Sequence, residues 1–137
     1  MVSYYHRMKK GEKNMKNLDN ALVKLCEDLT KTKCLRWEHC KEHGAFYDFK
    51  KNRKYIKIIA YDTADKGGAS VWGFINLGNP DFAVGDVLLA AGWNAPALNR
   101  PRGNILKGYP ITDDRFMYGP GYISGYSAGG YRNGSYV

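Results

Sequence analysis

The sequence predicts an α+β fold: one N-terminal helix packed on a small antiparallel meander of three to four strands, followed by an irregular Pro/Gly/Tyr-rich C-terminal segment. Three observations predict it. Leu18, Leu22, Leu25 and Leu29 recur at helical spacing. Two runs rich in β-branched and aromatic residues follow, KYIKIIAYD (54–62) and ASVWGFINL (69–77), with DVLLAA (86–91) after them. The links between these runs are short and hold the residues that turns favour. At 137 residues the chain reads as one α+β domain (17–112), preceded by a basic arm (1–16) and trailed by a Gly/Tyr-rich tail (113–137).

The arm carries His6, Arg7, Lys9, Lys10, Lys13 and Lys16 with few apolar anchors, which suits a frayed segment or the exposed start of a helix. The leucines then form one apolar stripe on a helix from about Asn17 to Thr30. Asn17 is placed to cap it, and Asp19 suits the positive end of its dipole. Cys26 borders the stripe, while Lys24, Glu27 and Asp28 face outward. A lone helix of this length is marginal in water, so the stripe must dock on the sheet. In the first strand Ile56, Ile58 and Ala60 make one apolar face, and Tyr55, Lys57, Ile59 and Tyr61 make the other. Strict alternation in the second strand puts Val71, Ile75 and Leu77 on one face and Trp72 and Phe74 on the other. The segments Thr63–Gly68 and Gly78-Asn-Pro-Asp are turns, and Phe46, Tyr47 and Phe49 supply a candidate fourth strand. Past Gly92 the prolines at 96, 101 and 110 exclude a long helix or a central strand. Residues 118–137 hold 6 Gly and 5 Tyr with Arg132 as the single charge, a composition that does not pack by itself.

Charge divides the chain in two. Residues 1–57 carry 15 Lys/Arg against 7 Asp/Glu, and residues 58–137 carry 6 against 6, so the whole net charge of +8 sits in the first part. Such asymmetry points to a polyanionic partner, nucleic acid first, met by one end of the molecule. The cations placed to neutralise phosphates are Lys9, Lys10, Lys13, Lys50, Lys51, Arg53, Lys54 and Lys57, with Arg100 and Arg102 adding to them. If the strands pair their aromatic faces, Tyr55, Lys57, Tyr61, Trp72 and Phe74 form a platform on which bases stack; the alternative puts Trp72 and Phe74 in the core. No RNP1 pattern or recognition helix is present, so any nucleic-acid contact is weak in sequence preference.

A second class of reading rests on Gly92 to Ile105. Trp93, two prolines and the pair Arg100 and Arg102 flanking Pro101 suit either a contact surface or a structural wrap in which Trp93, Leu98 and Ile105 bury and the arginines bond carbonyls. On that reading Trp93, Pro96, Arg102 and Asn104, with Tyr122 and Tyr126 of the tail, bind a protein partner. The protein would then be an interaction module, an inhibitor of an acidic host protein or a minor virion component.

All three cysteines and two of three histidines fall between Cys26 and His43. Cys34, His39, Cys40 and His43 are weak zinc candidates, since the usual paired C-x2-C and H-x3-H halves are missing; packed free cysteines and surface histidines are the alternative. No cofactor is therefore expected. The odd cysteine count argues against a disulfide framework, and the N-terminus lacks an apolar signal region, so a cytoplasmic setting is expected. The longest apolar run, Val87–Ala91, is too short to span a membrane. No nucleophile elbow, P-loop or dinucleotide fingerprint occurs, and no enzyme activity is expected.

The pattern S-V-x-x-F-I, G-D-V-L-x-A-A-x-W-x-A-P and R-G-N-I resembles one in small proteins of tailed bacteriophages. It is carried here by Ser70, Val71, Phe74, Ile75, Gly85 to Leu88, Ala90, Ala91, Trp93, Ala95, Pro96 and Arg102 to Ile105, within residues 54–106. The resemblance implies a phage origin and, for a phage-encoded protein, the host cytoplasm. It implies no catalytic residues.

Overall fold

A computed structural model describes residues 10–122. Helix α1 spans Lys10–Arg36, 27 residues, and so outruns the predicted 17–30 at both ends. No proline interrupts the flanks, and Lys33 and Arg36 in the last turn suit the negative end of the dipole. Asn17 is consequently an interior, exposed residue of α1 and not its cap, and residues 10–16 of the predicted arm are its first turns. The leucine stripe is as expected: Leu18, Leu22, Leu25 and Leu29 are all buried. A single turn, α2 (Cys40–His43), follows and leads into the sheet.

Strands β1 (Phe46–Lys51), β2 (Tyr55–Tyr61), β3 (Ser70–Asn76) and β4 (Asp86–Gly92) pair antiparallel in sequence order. Two very short strands, β5 (Ala95–Pro96) and β6 (Gly103–Asn104), both pair with β4. The GDVL and RGNI segments thus lie side by side, Asp86 opposite Asn104 and Val87 opposite Gly103. The face of the sheet toward α1 carries Tyr47, Ile56, Ile58, Ala60, Ile75 and Val87, which join the leucines in one core.

Strict alternation fails at one place. Ile58 pairs Gly73 while Ile59 pairs Val71, so Trp72 is the extra residue of a β-bulge. The bulge turns Trp72 to the helix side, away from Phe74, and it is buried in the core. Gly73 makes this possible, because a Cβ there would stand 2.9 Å from the Leu88 carbonyl oxygen and 3.0 Å from Pro120. Phe74 stays on the opposite face but is buried as well, so the predicted platform of Tyr55, Lys57, Tyr61, Trp72 and Phe74 loses both Trp72 and Phe74 to the interior, as the alternative reading has it.

The segment beyond β6 is not all tail. Two 3-10 turns, η1 (Ile105–Lys107) and η2 (Asp114–Tyr118), pack on α1 and bring Ile105, Tyr109 and Phe116 into the core. The Trp72 indole N–H donates to the Phe116 carbonyl, and the Tyr47 hydroxyl donates to the Met117 carbonyl at 2.8 Å. Residues 113–118, read from composition as the start of the tail, close the bottom of the core because Phe116 and Met117 are its only large apolar anchors there.

Cys34 and Cys40 form a disulfide that ties α2 to the end of α1, with 5.0 Å between their Cα atoms. This overturns both the four-ligand zinc set, whose thiolates are consumed, and the inference drawn from an odd count. The third cysteine, Cys26, is buried beside the leucine stripe, where burial pushes its thiol up to about 12 and leaves it unreactive. No helix among the described residues is long and apolar enough to cross a membrane.

The stripe generates a direct expectation. Leu22 is fully buried at the centre of α1, so Leu22→Ala is expected to lower unfolding free energy by about 2–5 kcal/mol. Urea titration followed by circular dichroism reads this; a loss below about 1 kcal/mol would mean that α1 is not docked on the sheet.

Candidate nucleic-acid interface

The face of the sheet opposite α1 carries the site. Because side chains alternate along β1, Lys50 and Lys51 point to opposite faces. Lys51 pairs with Asp19 of α1. Lys50 stands directly across from Lys57 of β2, and Lys57 in turn from Phe74 of β3. The β1–β2 turn adds exposed Arg53 and Lys54. That turn is held in place from β3: the Leu77 and Gly78 amides donate to the Lys54 carbonyl at 2.8 and 2.9 Å. Gly78 allows the approach, since a Cβ there would lie 2.8 Å from the Arg53 carbonyl oxygen.

Asn52, Arg53, Lys54, Tyr55, Lys57, Phe74 and Asn94 line a shallow cleft of about 480 Å³. Its floor is Phe74, which Tyr55 meets edge-on with centroids 6.3 Å apart. The Tyr55 hydroxyl is fixed by the Asn79 side-chain amide at 2.9 Å, and Asn79 belongs to a polar turn in which the buried Asn76 amide donates to the carbonyls of Asn79, Phe82 and Ala83. The wall is the two-residue turn between β4 and β5. From it Asn94 accepts from Lys57 Nζ at 2.6 Å, and the Trp93 ring lies 4.5 Å from the same ammonium. Lys57 is consequently shielded, and burial, followed by repulsion from Lys50, holds it below the ordinary lysine range.

Among the described residues, none of Lys50, Arg53, Lys54 and Lys57 is ion-paired with a carboxylate. Elsewhere the molecule closes its cations on acids: Lys24 on Asp28 at 2.8 Å, Lys33 on Asp62 at 2.8 Å, Arg36 on Asp114 at 3.2 Å. A second cavity, about 550 Å³ between the end of α1, β2, β3 and η2, includes Lys33, Arg36 and Asp62 among its lining residues, and both cations there are ion-paired, Lys33 with Asp62 and Arg36 with Asp114 outside the lining.

The other candidates divide. Lys9 and Tyr126 lie outside the described residues, and Lys10 and Lys13 lie in the first turns of α1. Lys51 is removed from the cationic face by its pairing with Asp19. Arg102 is buried and donates to the Asn99 side chain at 2.7 Å and the Arg100 carbonyl at 2.8 Å. Asn104 is also buried; its amide donates to the Val84 carbonyl at 3.0 Å and to Asp86 at 2.9 Å, and its carbonyl oxygen caps η1. The Arg102 side chain is thus engaged within the 99–102 loop and that of Asn104 along the β4–β6 edge. Pro96 is half-buried in β5. Trp93 and Leu98 are 50% and 59% exposed, against the structural wrap in which they bury, whereas Ile105 does bury. Arg100 and Arg102 both lie over the exposed Tyr122 ring, at 5.3 and 4.7 Å. The sequence does not assign Asn94 or Asn79 to this face, because Asn94 reaches the cleft and Asn79 reaches the Tyr55 hydroxyl from turns distant in the chain.

Fold and site together define a small basic α+β protein whose sheet is covered by a helix on one face and, among the described residues, carries cations without carboxylate partners on the other. The chain belongs to a family of unknown function (DUF7717), whose model matches residues 1–116. No curated protein and no solved structure matches it.

Lys57 sits where its charge is disfavoured, which separates binding from stability. Lys57→Met is expected to leave the melting temperature unchanged or raised, while the slope of log affinity for a polyanion against log salt becomes shallower by about 1. A stability loss above roughly 2 kcal/mol, more than its hydrogen bond and cation–π contact return, would make Lys57 a structural residue.

Proposed function

We propose that this is a phage-encoded, non-enzymatic accessory protein of the host cytoplasm that binds nucleic acid mainly through phosphate contacts on the helix-free face of its sheet. One observation carries the reading: among the described residues Arg53, Lys54 and Lys57, which line the cleft, and Lys50, directly across from Lys57, have no carboxylate partner. Cations without carboxylate partners attract polyanions at long range, and the half-buried Tyr55 ring beside them is within reach of a base, while Phe74 is buried. The absence of a side chain set to read base edges goes with phosphate-dominated, sequence-tolerant binding. The cytoplasmic setting is part of the same proposal. A disulfide such as Cys34–Cys40 is uncommon in a reducing compartment, so this pairing runs against that setting.

A second reading has its own support. Exposed Trp93 and Leu98, with Tyr122 between two arginines, make an apolar and aromatic rim of the composition that protein interfaces favour. On that reading the partner is an acidic host protein or a virion component.

Fluorescence anisotropy with labelled single- and double-stranded DNA and RNA, titrated across salt, tests the first reading. If each of the four cations covers one phosphate of a single strand, the log–log salt slope is expected near roughly −3. Arg53→Glu/Lys54→Glu, both in an exposed turn, is expected to weaken binding by roughly tenfold or more at low salt. Salt-independent affinity, or binding indifferent to this reversal, would refute the reading and favour the protein partner.

A further inference from the structure

His39, Glu42 and His43 form a group that neither the fold nor the cationic face uses. His39 immediately precedes α2, and Glu42 and His43 follow it by three and four residues, so all three project from one side of a single turn. One ligand atom from each lies within 4.8 Å of the other two, and His39 Nδ1 stands 2.9 Å from Glu42 Oε2. All three are exposed.

The group is held from several directions. The Trp37 ring stacks on His43 with centroids 5.9 Å apart and a 21° interplanar angle, and meets His39 edge-on at 6.3 Å. The Cys34–Cys40 disulfide fastens the turn to α1 through a Cys40 side chain that is fully buried. From the far side the Ala64 amide donates to the His43 carbonyl at 2.8 Å, tying α2 to the β2–β3 loop. Two imidazoles and one carboxylate at this spacing are a borderline donor set, suited to zinc and its first-row neighbours and poorly suited to calcium or magnesium. Their outward side is solvent, from which water would complete a tetrahedron around a bound ion.

We propose that His39, Glu42 and His43 bind one divalent transition-metal ion of the zinc class, with the disulfide and Trp37 as its supporting frame. The site is independent of the nucleic-acid reading. It also differs from a cysteine-based zinc site, because both neighbouring thiols are engaged in the disulfide.

The test is isothermal titration of zinc chloride into the untagged, oxidised full-length chain, repeated with His39→Ala/His43→Ala and with Glu42→Gln. These residues are exposed, so the variants are expected to keep the parent's circular dichroism. The expected result is one zinc per chain, with affinity reduced by roughly a hundredfold or more in the double histidine variant, since a ligand counts for at least as much as the partners that orient it. Quenching of Trp37 fluorescence by nickel, lost in the same variant and in Trp37→Phe, is the second readout. Zinc that binds equally well to the double variant would overturn the proposal. So would the absence of binding to the oxidised chain, or binding that appears only after reduction and requires Cys34 and Cys40.

Discussion

The fold depends on one contact, the docking of the leucine stripe of α1 on a single face of the meander. Leu18, Leu22, Leu25 and Leu29 bury against Ile56, Ile58 and Ile75, residues that alternate along their strands. Because the side-chain period of a strand is two, choosing this face for the core assigns every intervening residue to the other. Lys50, Tyr55, Lys57 and Phe74 are on the cationic face for that reason alone. The C-terminal turns then close the open side of the helix–sheet sandwich with Tyr109 and Phe116. The buried Trp72, turned inward by its bulge, joins them through its bond to the Phe116 carbonyl.

The same partition sorts the charges. On the helix side and at its margins cations find acids, as Lys51 finds Asp19 and Lys33 finds Asp62. Exposed pairs of this kind add only about 0–1 kcal/mol each, so their consequence is mainly to neutralise those surfaces. On the opposite face no carboxylate closes on Lys50, Arg53, Lys54 or Lys57 among the described residues, and Asn94 satisfies Lys57 with a neutral oxygen. A neutral partner leaves the positive potential in place. On the proposed reading, stability and binding are therefore drawn from different residues of the same strands.

How much of this is legible in the chain varies by element for physical reasons. The stripe and the four main strands are readable, because their periodicities of 3.6 and 2 are set by the core they share. The helix ends are not, since Lys10–Lys16 and Lys31–Arg36 carry no proline and no apolar period. Trp72 defeats strict alternation because a bulge leaves no mark in a short strand beyond the neighbouring Gly73. Cys34 and Cys40 suit a metal as well as a disulfide by composition; only the placement of α2 beside the end of α1 joins them. Of the cationic face, Arg53, Lys54 and Lys57 are visible in the sequence, while Asn94 and the internal partners of Lys51, Arg102 and Asn104 depend on tertiary contacts.

The central claim is that the two faces of one sheet have separate tasks. Amide chemical shifts of the labelled protein, followed while a short single-stranded oligonucleotide is added, test it residue by residue. Changes concentrated at Lys50 to Lys57, Phe74, Trp93 and Asn94, with the buried stripe of α1 unaffected, are the result this account predicts. Changes absent from that face, or centred on α1 and the cavity beside Lys33 and Trp37, would contradict it.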